Sequence, residues 1–268
     1  MPNRYVKSPN EIARIQSLFA EPVFSDSRVL SVQFETTAEF IAAVLPPGLK
    51  PDERPLASAW VGTFGSSNCV GPFAGAGINV RARHGDLAGN YCLTMPMSTD
   101  AAIIFGRELY AEPKKLADVR LERAGDLITG TVTRYGITFL ELRGRMEETL
   151  PGGSATGATF HYKFTPSPDG RGLDADPLLI HIRGESTSRH VERGAGEVIL
   201  RESPHDPVVD VPVVRVLGAA YTEGETRTFG SVLARIDADA FLPYAFGKMD
   251  DLTLLARTGA LQPAGLPQ

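Results

Sequence analysis

Residues 118–144 read DVRLERAGDLITGTVTRYGITFLELRG and contain three runs of β-forming residues, at 118–123, 127–136 and 137–144. Along each run, Val, Ile, Leu, Thr and Phe alternate with polar residues, which is the pattern of a strand with one buried face. The sequence RAGD between the first two runs is rich in residues that favour turns. The segment therefore predicts three consecutive strands.

The same pattern extends over most of the chain. Nine further strands are predicted, at 28–34, 56–64, 77–84, 90–97, 158–164, 178–185, 196–202, 212–221 and 227–236. Short helices are predicted at 8–20, 36–46, 98–107 and 237–249 from capping residues and helical apolar spacing. Because the strands far outnumber the helices and no strand–helix–strand alternation is visible, the sequence predicts a mainly β (α+β) protein, an antiparallel barrel or sandwich. We expect a single domain over 1–268, with 257–268 as a loose tail.

Composition restricts the classes of partner. The net charge of −5 argues against nucleic-acid binding, and the apolar runs are far shorter than the roughly 18 residues of a membrane span. The first residues lack the apolar segment of a secretory signal. We therefore expect a cytoplasmic protein that binds neither nucleic acid nor membrane, with Cys69 and Cys92 as buried, reduced thiols.

Common catalytic motifs are missing from the sequence. Neither the Gly-x-Ser-x-Gly of hydrolases nor a P-loop is present. The glycines of GPFAGAG (71–77) precede a predicted strand, which favours a turn or bulge over a dinucleotide site. The five histidines show no metal-binding spacing. We therefore predict neither a cofactor nor a metal site.

Two adjacent lysines, Lys114 and Lys115, follow Pro113 in a chain that contains only six lysines among its 27 basic residues. A lysine becomes nucleophilic when burial or a neighbouring positive charge destabilises its ammonium form. The surrounding segment, FGRELYAEPKKLADVRLER (105–123), offers both conditions. The alternative interpretation is a solvated pair in a loop.

The sequence around these lysines resembles a family signature. Gly-Arg-Glu-Leu at 106–109, three further residues, and Pro-Lys-Lys at 113–115 are similar to the G-R-E-L-x-x-x-P-K-K of the acetoacetate decarboxylase family. The segments SVQFETTAEFIAAVLPPGL (31–49) and GNYCLTMPMSTDAAIIFGREL (89–109) also resemble the family. The resemblance is good over 28–145 and implies a β-barrel-rich fold that self-associates as a homo-oligomer.

The resemblance implies roles for individual residues. Lys114 matches the Schiff-base lysine and Lys115 its neighbour, while Arg28 lies within one position of an arginine that binds the substrate carboxylate. Trp60 and Gly75 occupy positions at which the family carries glutamates of the decarboxylase site. We therefore expect a substrate-binding pocket that is larger and less acidic beside Trp60 and Gly75.

The implied activity is that of a Schiff-base-forming lyase acting on a small-molecule keto acid bulkier than acetoacetate. Three alternatives stay open: an aldolase or dehydratase that uses the same lysine, a non-catalytic small-molecule-binding barrel, and a lysine-independent oxidoreductase. Because successive side chains of a strand point to opposite faces, Lys115 is expected to turn away from Lys114. We expect it to serve as an anchor, pairing with an acid such as Glu112 or Asp118.

Overall fold

A sheet of twelve strands that closes on itself forms most of the protein. The structure is a computed structural model and describes residues 3–259. The strands are β1 (Val23–Glu35), β2 (Lys50–Pro51), β3 (Leu56–Ser67), β4 (Phe73–His84), β5 (Leu87–Met97), β6 (Lys114–Leu116), β7 (Asp118–Ala124), β8 (Leu127–Arg134), β9 (Ile137–Leu150), β10 (Gly153–Lys163), β11 (Leu178–Leu200) and β12 (Arg215–Arg235). The predicted mainly β class is confirmed.

Seven strands form a closed barrel in the order β10-β5-β4-β3-β1-β12-β11. Antiparallel pairing of β10 with β11 closes it on one side. On the other side β10 and β5 pair in parallel at only two positions, Thr159 with Asn90 and Phe160 with Tyr91. Beyond these positions the two strands separate, and β5 pairs instead with β6, which carries the two lysines.

A second layer continues from the barrel through β9, β8 and β7. The first half of β11 pairs with β10 of the barrel and its second half pairs with β9, so this 23-residue strand belongs to both layers. Strands β7, β8 and β9 are the three strands that the segment 118–144 predicts. The sequence also predicts separate strands at 178–185 and 196–202, and at 212–221 and 227–236. Each of these pairs is one long strand, β11 or β12, because the intervening polar and glycine residues continue the ladder.

The main core lies between the barrel wall and the second layer. Leu30 and Val61 on the wall and Ile128 and Leu140 on the opposing strands are fully or almost fully buried. A Cβ atom at Gly130 would lie 2.6 Å from Val61 Cβ, so the layers approach closely where β8 carries glycine.

Five short helices surround the sheet: α1 (Pro9–Ala20), α2 (Ala38–Val44), α3 (Asp100–Phe105), α4 (Ala238–Ala245) and α5 (Leu252–Arg257). The predicted capping box of α1, formed by Ser8 and Glu11, is present. The helix α3 continues as a π-helical turn over Gly106–Tyr110. The helix α5 ends at Arg257, the first residue of the predicted tail, and 260–268 of that tail lie outside the described residues. No helix within 3–259 is both long and apolar enough to span a membrane.

Candidate active site

The lysine pair is held next to β5 by a tight reversal of the chain. Thr99 caps α3 by accepting a hydrogen bond from the Ala102 amide. After the π-helical turn, Ala111 adopts a left-handed conformation with φ 56°, which is costly for a residue with a side chain. The chain then extends as β6, where Lys114 pairs with Met95 of β5. Both π-helical turns and strained backbone are common at functional sites.

The amine of Lys114 is buried and paired with a carboxylate. Lys114 is 6% exposed. Its Nζ lies 2.7 Å from Glu112 Oε2 and donates a hydrogen bond to the Ala102 carbonyl at 3.2 Å. Gly106 makes room for this pair, because a Cβ atom there would lie 2.6 Å from Lys114 Cδ and closer still to both charged groups. Arg107 holds the backbone by donating to the Lys114 carbonyl at 3.0 Å.

Lys115 points in the other direction, as the strand alternation predicts. Its Nζ lies 3.1 Å from Asp206 Oδ1 and 3.2 Å from Asp250 Oδ1, and Arg134 Nη1 contacts the same two acids at 2.7 and 3.0 Å. The predicted partners of Lys115, Glu112 and Asp118, are therefore wrong. Glu112 pairs with Lys114, and Asp118 is in an exposed pair with Arg120 at 2.7 Å.

A cavity of about 360 Å³ opens in front of Lys114 and Glu112, and its two sides differ in chemistry. Its apolar side is formed by Phe24, Val29, Trp60, Phe64, Phe73, Met95 and Met97. Its polar side is formed by Ser27, Ser186, Thr187, Ser188, Thr222, Gly224, Glu225, Thr226 and Thr228. Among residues 3–259, Lys114 is the only basic residue that lines this cavity.

The structure corrects the expectation for the pocket beside Trp60 and Gly75. The Trp60 ring lines the cavity, but the space above Gly75 is filled, because a Cβ there would lie 2.6 Å from Met97 Sδ and 3.4 Å from Trp60 Cη2. A Cβ at Gly77 would lie 2.6 Å from Trp60 Nε1. The two glycines of β4 therefore accommodate the indole instead of enlarging the pocket. The region is also not free of acid, because Glu112 lies in it.

Arg28 projects from the opposite face of β1, where it is exposed beside its cross-strand neighbour Glu223. The residues of β1 that line the cavity are Phe24, Ser27 and Val29. Of these, Ser27 is buried and donates to the Gly224 carbonyl at 2.9 Å. A β-bulge between Phe24 and Ser27 sets which side chains point inward. Arg28 therefore does not line the cavity in front of Lys114, because it lies one residue of strand register away from the face that does.

Glu112 is the site residue that sequence reasoning placed incorrectly. It precedes Lys114 by two positions, and in extended backbone residues i and i+2 share a face. This spacing could have indicated the Lys114–Glu112 pair.

The two cysteines are free thiols. Cys92 is buried as predicted, whereas Cys69 is half-buried beside the cavity. Burial raises the pKa of both thiols, which keeps them protonated and weakly reactive near neutral pH.

The fold and the signature together define the class of this protein. The chain belongs to the acetoacetate decarboxylase family, whose model, described as "Acetoacetate decarboxylase (ADC)", matches residues 7–236.

One curated relative and two solved structures show what this chain resembles. "Acetoacetate decarboxylase 3" of Mesorhizobium japonicum is 27% identical over 218 residues, which cover 78% of this chain and 84% of the relative. A solved structure titled "Structural Studies of Acetoacetate Decarboxylase" superposes with a TM-score of 0.73 at 19% identity, covering 80% of this chain and 89% of the other. The "Enduracididine biosynthesis enzyme MppR complexed with the condensation product of pyruvate and imidazole 4-carboxaldehyde" superposes with a TM-score of 0.71 at 16% identity, covering 80% and 89%. The two superpositions establish the shared fold.

Proposed function

We propose that this protein is a Schiff-base-forming lyase that acts on a keto acid bulkier than acetoacetate. The observation that carries the proposal is the buried Lys114 amine, 2.7 Å from Glu112 and open to a cavity large enough for a small molecule. Membership of a family that includes decarboxylases supports the same reaction class.

Glu112 supplies the proton transfers that imine formation needs. The Lys114 ammonium gives a proton to the Glu112 carboxylate, and the neutral amine attacks the substrate carbonyl carbon to form a carbinolamine. The Glu112 carboxylic acid returns the proton to the departing hydroxyl group, which leaves as water. The net reaction converts an ammonium and a ketone into an iminium and water, and Glu112 ends as a carboxylate.

The iminium then accepts the electron pair of the bond that breaks at the adjacent carbon. In a β-keto acid this is the bond to the carboxylate, so carbon dioxide leaves and an enamine forms. Protonation of the enamine carbon and hydrolysis of the resulting iminium release the ketone product and restore Lys114. Desolvation in the apolar half of the cavity favours loss of the carboxylate charge.

A second candidate is aldol or dehydration chemistry at the same lysine. The observation that favours it is the position of Glu112, because a carboxylate beside the iminium can remove a proton from the adjacent carbon as well as deliver one. The relative whose title mentions a condensation product of pyruvate supports this candidate.

The shape and polarity of the cavity support a bulky substrate. Trp60, Phe64 and Phe73 provide an aromatic wall, in which Phe64 stacks on Phe73 and Trp60 meets Phe64 edge to face. Ser186 and Thr226 add hydroxyl groups to the cavity lining. Because Lys114 is the only basic residue lining the cavity within 3–259, the substrate carboxylate has no second cation to bind there. We expect the binding energy to come from the apolar body of the substrate.

Borohydride trapping tests the proposal. Incubation with a panel of aryl- and alkyl-substituted β-keto acids, followed by reduction and peptide mapping, should place one covalent adduct on Lys114. Lys114→Arg should abolish it, because a guanidinium keeps the charge and cannot form the imine. Glu112→Gln should slow trapping by about 100-fold or more, the usual contribution of a positioned acid–base group. Glu108→Gln, a change of the exposed acid in the same turn, is the matched control and should leave the rate unchanged.

Two outcomes contradict the proposal. Reversible binding of keto acids without any adduct would identify a non-catalytic binding barrel. An adduct that survives in Lys114→Arg would place the chemistry on another amine. Analysis of the products formed by untreated enzyme then separates the two candidates, because only decarboxylation releases carbon dioxide.

A further inference from the structure

A second and larger cavity lies behind the lysine signature, at the position where β5 and β10 separate. Its volume is about 530 Å³. Thr94 of β5 and His161 of β10 line its two walls, and Pro113 and Lys115 form the side shared with the signature. The cavity is therefore distinct from the one in front of Lys114.

The walls of this second cavity are largely apolar. Apolar and aromatic side chains come from α2, β4, β5, α4 and the turn at 208–210. The main ones are Phe40, Val44, Ile78, Tyr91, Leu93, Val208, Val211, Phe241 and Tyr244. A cavity of this size and lining is typical of small-molecule sites, which combine apolar walls with a few polar groups.

Two polar side chains at one end of the cavity have unused hydrogen-bonding capacity. His161 is only 2% exposed, and its ring makes no hydrogen bond to any residue within 3–259. Lys248 donates to the Tyr162 carbonyl at 2.5 Å and lies 4.6 Å above the Phe164 ring. In the part of the chain that the structure describes, no carboxylate lies within ion-pair distance of Lys248. Buried polar groups are normally satisfied, so this end of the cavity lacks its partner.

The other charged residues that line the cavity are Lys115, Asp206 and Asp210. Lys115 is paired with Asp206 and Asp250, which also bind Arg134, whereas Asp210 is exposed. Among residues 3–259, Lys248 is thus the basic residue of the cavity wall that is available to a ligand.

We infer that this cavity binds an amphipathic organic anion, with its apolar body between α2 and α4 and its carboxylate against Lys248 and His161. The neutral His161 ring offers one N–H donor, and the Lys248 ammonium offers two donors beyond the one used by Tyr162. The site is independent of the reaction proposed at Lys114.

The protonation of Lys248 supports this assignment. Burial lowers the pKa of Lys248 to about 7, with Arg107 as the next contribution, so about half of the amine is neutral at pH 7. Burial also lowers the pKa of His161 to about 4, so its ring is neutral. An anion bound at Lys248 favours the ammonium form, and binding at pH 7 therefore takes up a proton. The charged and titratable groups that face Lys248 are Arg107, Glu112, Cys92, Lys163 and His161.

Calorimetric titration with decanoate, and with the neutral isostere decanamide, tests the inference. Decanoate should bind once per chain, at least tenfold more tightly than decanamide. Titrations at pH 7 in buffers of different ionisation enthalpy should show an uptake of about half a proton, as expected for a group whose pKa is near 7. Lys248→Met should weaken decanoate binding by tenfold or more and abolish the proton uptake. Lys50→Met, the removal of an exposed lysine that does not line the cavity, is the matched control and should change neither.

The inference is wrong if decanoate and decanamide bind equally, if neither binds, or if Lys248→Met leaves the preference intact. Lys114→Arg separates this site from the proposed active site, because it should abolish trapping and leave decanoate binding unchanged. Ala43→Trp, which places an indole in the cavity from α2, gives a second test if Lys248→Met does not fold. Decanoate binding that survives Ala43→Trp would overturn the inference.

Discussion

Replacement of Gly106 by Ala tests whether the π-helical turn exists to bring Lys114 and Glu112 together. The backbone of Gly106, with φ −69° and ψ −38°, is suitable for Ala. On helix propensity alone the change should stabilise the turn by about 1 kcal/mol. Any loss of function must therefore come from the added methyl group.

The structure gives the size of the displacement. The new Cβ would lie 2.6 Å from Lys114 Cδ, whereas ordinary contact begins near 3.4 Å, so the side chain must move by about 0.8 Å. The Lys114 amine and the Glu112 carboxylate are closer still and must move further. A misplacement of about 1 Å can cost about 100-fold in rate, or close to 3 kcal/mol of transition-state stabilisation.

The assay is the initial rate of borohydride-trappable adduct formation in Gly106→Ala, with substrate binding measured separately. Gly157→Ala is the control, because a Cβ at Gly157 meets no atom within 4 Å. Overpacking costs about 1–3 kcal/mol and is partly offset by the propensity gain, so the thermal midpoint should change little. A Gly106→Ala protein that traps substrate at the wild-type rate would refute the argument that this glycine positions the pair.

Three further predictions follow from buried groups and from the cavity lining. Lys115→Met should lower the free energy of unfolding, measured by chemical denaturation, by about 2 kcal/mol, because Asp206 loses a charged hydrogen-bond donor. Borohydride trapping at Lys114 should persist. Loss of trapping in a folded Lys115→Met variant would contradict an anchoring role for Lys115. Burial lowers the pKa of His161 to about 4, so between about pH 6.5 and 4 the unfolded chain binds a proton that the folded chain does not, and stability falls as the pH falls through that range. His161→Phe should remove about 3 kcal/mol of this loss, measured from denaturation curves at pH 7 and pH 4. An identical pH dependence in the variant would show that His161 is not the cause. Acetoacetate should be a poor substrate, because Trp60 offers no carboxylate and the described residues 3–259 place no second cation in the cavity lining. Carbon dioxide release of about 10 per second or more would refute this.

The strand pattern was the most informative part of the sequence for the fold. Alternating β-formers between turn residues predicted β7 and β8 to within two residues and the start of β9, because local burial on one face fixes that alternation; β9 extends six residues beyond its predicted end. The same reasoning divided β11 in two, since its exposed middle carries Ser, Thr and Gly where the pairing simply continues. Whether such a segment forms one strand or two depends on long-range strand pairing, which leaves no pattern in the local sequence.

The site was predictable where chemistry is local and not where it depends on register. The motif singled out Lys114, and its direction relative to Lys115 followed from strand alternation, although the short strand β6 that carries both lysines was not predicted. The bulge near Ser27, which turns Arg28 outward, depends on pairing with β12 and could not be deduced from β1 alone. Asp206 lies 91 positions from Lys115 in sequence, so its pairing could only be seen in three dimensions.

The strand β11 runs through both layers, and this has a consequence for how the molecule unfolds. A strand that is paired to β10 of the barrel at one end and to β9 at the other cannot leave one layer while the other keeps its full ladder. The two layers should therefore melt in one cooperative transition, with their backbone amides exchanging at a shared, global rate. A new pocket can evolve at one end of such a protein only if the strand pairing at the other end stays intact. Sequence changes between members of the family should therefore concentrate in side chains and loops.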